Sequence, residues 1–345
     1  MPTPYRHTTP VRPKAATGPV AAVYAQMEAD FLLADGPLMS LSPAPTVLAA
    51  TWALLREAEL AGAAPRTDKE AVASAVSLAN RCPFCTEAHA LLVHGAGGHE
   101  LAEAVRAGTA PADPGQAALL AWAAATRSPG DPLLARPPFP AALAPEFVGT
   151  ALVTHFVNRM VTALLDEEAL LPSSLRRSRY VRRAAALTVG KAARRTVTPG
   201  AGLTVLTDRP SPDAPVPDWA GRGSIGPAFL ALRTAASGGG ELLTPAARSA
   251  VRDTLAAWDG THPPLGGDPV GPHLAALAEP DRPAARLALL TALAPYRITA
   301  ADVAAWRAVR PGADDEELTR LLAFGAFAAV ERVEGWIAGG VAVGR

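Results

Sequence analysis

The run Cys82-Pro83-Phe84-Cys85-Thr86-Glu87-Ala88-His89 sets two thiols three residues apart, with an imidazole four residues beyond the second. Pro83 suits the first position of a helix, which makes Cys82 the N-cap or its neighbour. On that helix Cys85 and His89 share one face, and the two cysteines are close enough to form a disulfide. Each element favours the thiolate at Cys85. Unpaired backbone N–H groups and the positive end of the helix dipole stabilise an anion in the first turn. His89, one turn along, can accept the thiol proton. A thiol so placed ionises more readily than a free one, and only the thiolate attacks a peroxide or a disulfide. Cys82 is then positioned to resolve a sulfenic acid or a mixed disulfide before over-oxidation. Glu70 stands twelve residues before Cys82, where a helix hairpin would return it to His89 and let it orient that base.

The elements that must hold these groups read as helices. Lys69 to Asn80 is apolar at Val72, Ala75, Val76 and Ala79, a face that folds back on the cysteine helix. Gly95, Gly97 and Gly98 stop that helix. Asp113-Pro114 and Thr244-Pro245 each pair an N-cap with a proline at the first helical position. The only strand-like alternation is Leu203-Thr204-Val205-Leu206-Thr207, inside a Pro-rich joint, so the fold class is all-α. The joint divides the chain into a redox domain over 1–195, a linker over 196–219 and a helical domain over 220–345 without cysteines. The halves read as distant copies. The amphipathic helices over 145–165 and 314–336 correspond, and Thr244 to Trp258 corresponds to Arg66 to Val76. Gly260-Thr261-His262-Pro263-Pro264 stands where the cysteine turn would fall, which makes the second copy degenerate and His262 a loop residue.

Charge balances at 32 basic and 32 acidic residues over 345, which gives no global field for nucleic acid or a membrane surface. The arginine-rich stretch Arg176 to Arg195 reads as a solvated or inter-subunit face. No uninterrupted apolar run of about 18 residues appears, and Met1 to His7 lacks the apolar core of a signal peptide, so a cytoplasmic location is expected. Two cysteines this close cannot staple distant elements. A zinc site of Cys82, Cys85, His89 and either His94 or His99 is an alternative, disfavoured because all its ligands crowd one short helix; no metal or other cofactor is expected. His155 suits a core or interface position as well as a pocket. The tryptophans fit the core. A non-catalytic, oligomeric helical binding module is the other class of reading.

The arrangement Glu70-x11-Cys82-x2-Cys85-x3-His89 resembles the signature of the alkylhydroperoxidase D-like, carboxymuconolactone decarboxylase superfamily. The resemblance covers mainly residues 45–165. The helix around Asn158-Arg159 is similar to one in the peroxidase-related branch, and the remainder resembles long, two-copy members. It implies an all-helical homo-oligomer with peroxidase or disulfide reductase activity, acting on a hydroperoxide or disulfide with electrons from a thiol donor. It also implies that Cys85 attacks, Cys82 resolves, His89 is the base and Glu70 reaches it through a water. Phe84 stands where the best-studied members carry a further histidine. True decarboxylases of the superfamily lack the cysteine pair, so decarboxylation is not expected.

Overall fold

In the computed structural model the described residues are 4–31, 36–166, 190, 194–211 and 213–343. Among them the chain is all-α, with thirteen α-helices, short 3-10 turns and no strand beyond two isolated bridges, Tyr5 with Leu165 and Ala61 with Val197. The first half supplies α1 (Gly18–Phe31), α2 (Pro45–Leu55), α3 (Arg66–Ala79), α4 (Pro83–Ala96), α5 (His99–Ala107), α6 (Pro114–Ala125) and α7 (Ala144–Leu164). The second supplies α8 (Ile225–Ser237), α9 (Pro245–Ala257), α10 (Gly271–Leu274), α11 (Arg282–Leu293), α12 (Ala300–Val309) and α13 (Asp315–Val343).

Local chemistry sets the boundaries. The Asp113 carboxylate accepts the Gln116 N–H at 2.7 Å, with Pro114 as the first residue of α6. Thr244 does the same for α9 through Ala247. Thr299 and Asp302 cap each other's backbone N–H at the start of α12.

α7 is the central helix. It is long and apolar enough to cross a bilayer, yet 89% of its apolar window is buried inside the protein. It lies against α2, α3, α8 and α13. Phe156 of α7 and Phe229 of α8 both pack on Phe327 of α13, with ring centroids 6.3 and 5.7 Å apart. One apolar cluster therefore runs from α1 through to α13. The tryptophans fill it, with Trp52, Trp122 and Trp306 fully enclosed.

The stretch from Leu203, read as strand-like, falls instead in a 3-10 turn, Ala201–Val205. Among the described residues no neighbouring strand offers it a ladder. The Gly200 and Gly202 N–H groups donate to the buried Glu57 carboxylate at 2.5 and 2.7 Å, which also takes the Ser224 hydroxyl at 2.5 Å. The Pro-rich joint is thus fastened to the core in part through this buried carboxylate, with Arg56 and Gln26 donating to Thr198 O and Ala201 O beside it. Of the basic stretch over 176–195, all but Gly190, Arg194 and Arg195 lies outside the described residues. Arg194 donates to the Gly95 carbonyl at 3.1 Å, at the end of α4.

α11 and α13 touch backbone to backbone. A Cβ added at Gly325 would lie 2.2 Å from the Ala288 carbonyl oxygen, whereas one at Gly335, exposed on the same helix, would meet nothing within 4 Å. Gly325→Ala is expected to cost roughly 1–3 kcal/mol through overpacking, and Gly335→Ala to add roughly 0.5–1 kcal/mol by restoring helix propensity. Denaturant melts of both variants check the opposite signs.

Candidate active site

The site begins with a chain reversal. α3 ends in a Schellman turn, in which the Arg81 N–H donates to Leu78 O at 3.0 Å and the Cys82 N–H to Ser77 O at 2.9 Å. Arg81 takes the left-handed position that glycine usually fills, with φ of 58°, at a cost of about 1–2 kcal/mol. Cys82 closes α3 and is at once the N-cap of α4, followed by Pro83. This two-residue reversal lays α4 along α3. α4 then ends at Gly97, with φ of 106°.

Both cysteines are thiols, and their Sγ atoms lie 2.7 Å apart. Cys82 is 0% exposed and Cys85 5%, so both sulfurs are buried and Cys85 lies nearer the surface. Val161 and Leu165 complete their apolar cluster, with Val157, Tyr5 and Phe84 packed against it. Phe84 is therefore part of an apolar wall around the sulfurs. Cys85, in the first turn of α4, has His89 one turn further along the same face.

Behind His89 runs a buried row of charges. His89 Nδ1 lies 2.7 Å from Glu70 Oε2. This contact is direct, where the family resemblance implied a bridging water, because the α3–α4 hairpin brings the two side chains into touch. Glu70 Oε1 accepts from Arg66, with Nε at 2.6 Å and an Nη at 2.5 Å. Glu59 Oε1 stands 3.7 Å from the same His89 nitrogen. Burial pushes the Glu70 carboxyl up, but Arg66 and His89 outweigh it and hold the group down at about 2. Burial and the Glu70 charge push Glu59 up to about 7. Burial opposes charge on His89, yet Glu59 and Glu70 together raise its pKa. The row thus holds an ionised Glu70 between Arg66 and His89, with a carboxyl that titrates near neutrality beside it.

Sequence reasoning found Glu70, Cys82, Cys85 and His89, and the structure sets Glu70 on His89 and the two thiols on each other. It missed Glu59 and Arg66. Arg66 carried a signal, since it stands four residues before Glu70 on the same helix. Glu59 carried none, because α2 widens into a π-turn, Arg56–Leu60, which rotates its side chains out of the α register. That turn sends Glu57 to the joint and Glu59 to His89.

Among the described residues, the one group of side chains spaced to share a metal ion is Glu59, Glu70 and His89, with ligand atoms within 4.8 Å of one another. It excludes the cysteines. His94 and His99 instead stack edge to face, with centroids 4.2 Å apart. His94 lies nine residues beyond Cys85 on α4, about 13 Å along the axis, which separates the ligands of the zinc alternative. His155 is fully buried on α7. Its Nε2 faces the Thr126 hydroxyl at 2.9 Å and its Nδ1 the Asn80 amide at 3.0 Å. Burial and two nearby arginines hold its pKa well below 6.5, which makes it a neutral core residue.

A helical fold with a Cys-x-x-Cys helix backed by glutamate and histidine places the chain in the carboxymuconolactone decarboxylase family, to which it belongs. The family model matches residues 46–126, the segment that carries α2 to α6. An alkyl hydroperoxide reductase of Mycobacterium tuberculosis (strain ATCC 25618 / H37Rv) is 40% identical over 334 residues, covering 96% of this chain and 94% of the relative. No solved structure matches the chain.

The raised Glu59 carboxyl has a thermodynamic consequence. Its folded value of about 7 exceeds the ordinary 4.5. Below both values each state holds the proton; between them only the folded state does, so stability falls as pH rises through that window. His89, also raised, acts with the same sign. The drop in melting temperature from about pH 5 to about pH 8 is expected to be smaller in Glu59→Gln than in the unmodified protein. Equal drops would mean that Glu59 is ionised throughout.

Proposed function

We propose that this protein is a Cys-x-x-Cys peroxidase that reduces organic hydroperoxides. The observation that carries this reading is the buried Arg66–Glu70–His89 row on the helix hairpin that also sets Cys82 and Cys85 Sγ 2.7 Å apart. The name of the mycobacterial relative, alkyl hydroperoxide reductase, supports the same activity. The apolar wall of Val157, Val161, Leu165, Tyr5 and Phe84 suits an alkyl chain beside the peroxide.

In this mechanism Cys85 is the attacking thiolate, held by the first turn of α4 and the neighbouring imidazolium. Its sulfur attacks one peroxide oxygen, forming the S–O bond as the O–O bond breaks. The departing alkoxide takes a proton from His89 and leaves as the alcohol. Since Glu70 engages Nδ1, the proton that His89 trades is the one at Nε2. Glu70 fixes the ring and stabilises its charged form, and Arg66 keeps Glu70 ionised. Glu59 faces the ring from the Nδ1 side. Cys82 then attacks the Cys85 sulfenic acid, forming the disulfide and expelling the hydroxyl, which leaves as water with the Cys82 proton. Two electrons from an external thiol donor reopen the disulfide. When the donor regenerates the Cys85 thiol, that thiol passes its proton to Nε2, which restores both the thiolate and the imidazolium.

We read the half over 220–345 as a degenerate copy that serves as scaffold, joined through the linker over 196–219 to the redox domain over 1–195. Homo-oligomerisation and a cytoplasmic, reducing location complete the proposal.

Stopped-flow reduction of cumene hydroperoxide with a dithiol donor, together with thiol alkylation near neutral pH, tests it. Cys85→Ser is expected to abolish both peroxide reduction and the fast-alkylating thiol. Cys82→Ser should give a single burst and a trappable sulfenic acid without turnover. His89→Ala should slow the peroxide step about 10²–10⁴-fold, the usual contribution of a general acid or base. Disulfide exchange without peroxide consumption would shift the assignment to a disulfide reductase. Slow alkylation, indifferent to all three substitutions, would point to a non-catalytic binding module.

A further inference from the structure

A second polar site lies on the far side of the cysteine turn, between the two halves of the chain. Asn80, Arg127, Asn158, Arg159, His262 and Tyr296 line a narrow pocket of about 260 Å³ including its mouth, over an apolar floor of Ala292, Leu293 and Pro295. Arg127 is 8% exposed and Arg159 3%. Neither has a carboxylate partner among the described residues. Both guanidinium groups pack on Trp258, 5.3 and 5.7 Å from its ring centroid.

The hydrogen bonds around the pocket are largely satisfied, which makes the exceptions informative. Arg159 donates to Ala292 O at 2.9 Å and to His155 O at 2.7 Å. Arg127 donates to Asn80 Oδ1 at 2.8 Å and to His262 Nδ1 at 3.2 Å. His262 Nε2 in turn donates to Ala79 O at 2.8 Å. The remaining donors, Arg159 Nη2, Arg127 Nε and the Tyr296 hydroxyl, are buried without a hydrogen-bond partner among the described residues. Two buried, unneutralised cations and three unsatisfied donors converge on residues lining one pocket. Buried charge and unmet donors are both costly, and a single negative ligand answers both.

We propose that this pocket is a small-anion site, in which Arg159 Nη2, Arg127 Nε and the Tyr296 hydroxyl hold a halide or one oxygen of an oxyanion or carboxylate. The inner end has room for about one water-sized particle, which sets the size of the accepting atom. Burial, and the repulsion of Arg81 and Arg127 respectively, lower Arg127 to about 10 and Arg159 to about 9, so both stay charged near neutral pH. The neighbouring imidazoles bring no competing charge. Burial and the arginines lower His262 to about 4 and hold His155 neutral. The bound anion ties the ends of α3, α6 and α11 to α7.

The test is independent of the redox reading, because it reads binding alone. Melting temperature of the reduced, full-length protein is followed against chloride, phosphate and acetate at constant ionic strength, with bulky gluconate as the balancing anion. At least one small anion is expected to raise it saturably, by roughly 4 °C at a hundredfold excess over Kd. Which anion acts distinguishes a halide from an oxyanion or a carboxylate. Tyr296→Phe, which removes one donor and keeps the ring, should weaken that effect about tenfold in concentration, the usual scale for a hydrogen bond to a charged group. The proposal is overturned if no small anion outperforms gluconate, or if Tyr296→Phe responds as the unmodified protein does.

Discussion

The fully buried Glu70 carboxylate constrains the architecture around the cysteines. A carboxylate out of water must be paired or must give up its charge. Glu70 keeps its charge because Arg66 sits one helical turn before it and His89 faces it from α4. Those partners fix three things at once: where α3 starts, how closely α4 folds back on it, and which nitrogen of His89 is engaged. Glu59 is buried beside that charge, and burial together with repulsion from Glu70 raises its titration. The cysteine helix therefore inherits its register from an ion pair behind it.

What was legible in the sequence was what short range encodes. The Cys82, Cys85 and His89 spacing needs only helical geometry, and the caps at Asp113 and Thr244 need only side chains next to their own helix ends. Glu70 was named through the family pattern, since a glutamate in a first helical turn is commonplace and its spacing alone does not single it out. Glu59 was not, because its position depends on the π-turn at Arg56–Leu60, and nothing in the periodicity of α2 announces an extra residue per turn. The stretch from Leu203 misled for a related reason. Its alternation is real, but the Glu57 carboxylate takes the Gly200 and Gly202 N–H groups, and a residue over a hundred positions away decides the conformation.

The second half has a physical role at the first half's weakest point. The turn at Arg81 holds a β-carbon in a left-handed conformation, and the last carbonyls of α3 lack helical partners. His262, a loop residue as its sequence context implies, reaches across to the Ala79 carbonyl, two residues before that turn. The loop can approach this closely only because Gly260 has no side chain. With φ of 86°, a Cβ there would overlap the Arg127 carbonyl. A segment without cysteines thus braces the segment that holds them.

This bracing also explains why the seam between the halves is polar at one end and apolar at the other. Along α7 the contact is aromatic and aliphatic, Phe156 with Phe327 and its neighbours. At the cysteine turn apolar packing alone would leave the α3 carbonyls and Asn80 unsatisfied. Polar groups are therefore required there, and His155, Asn158, Thr126 and Arg127 close that network by hydrogen bonds. Low local dielectric strengthens each such bond and makes any missing one expensive. The turn is consequently held by directional contacts, which fix the position of Cys82 more narrowly than packing would. That is the property a thiol needs if it must meet its partner sulfur without waiting for the backbone to move.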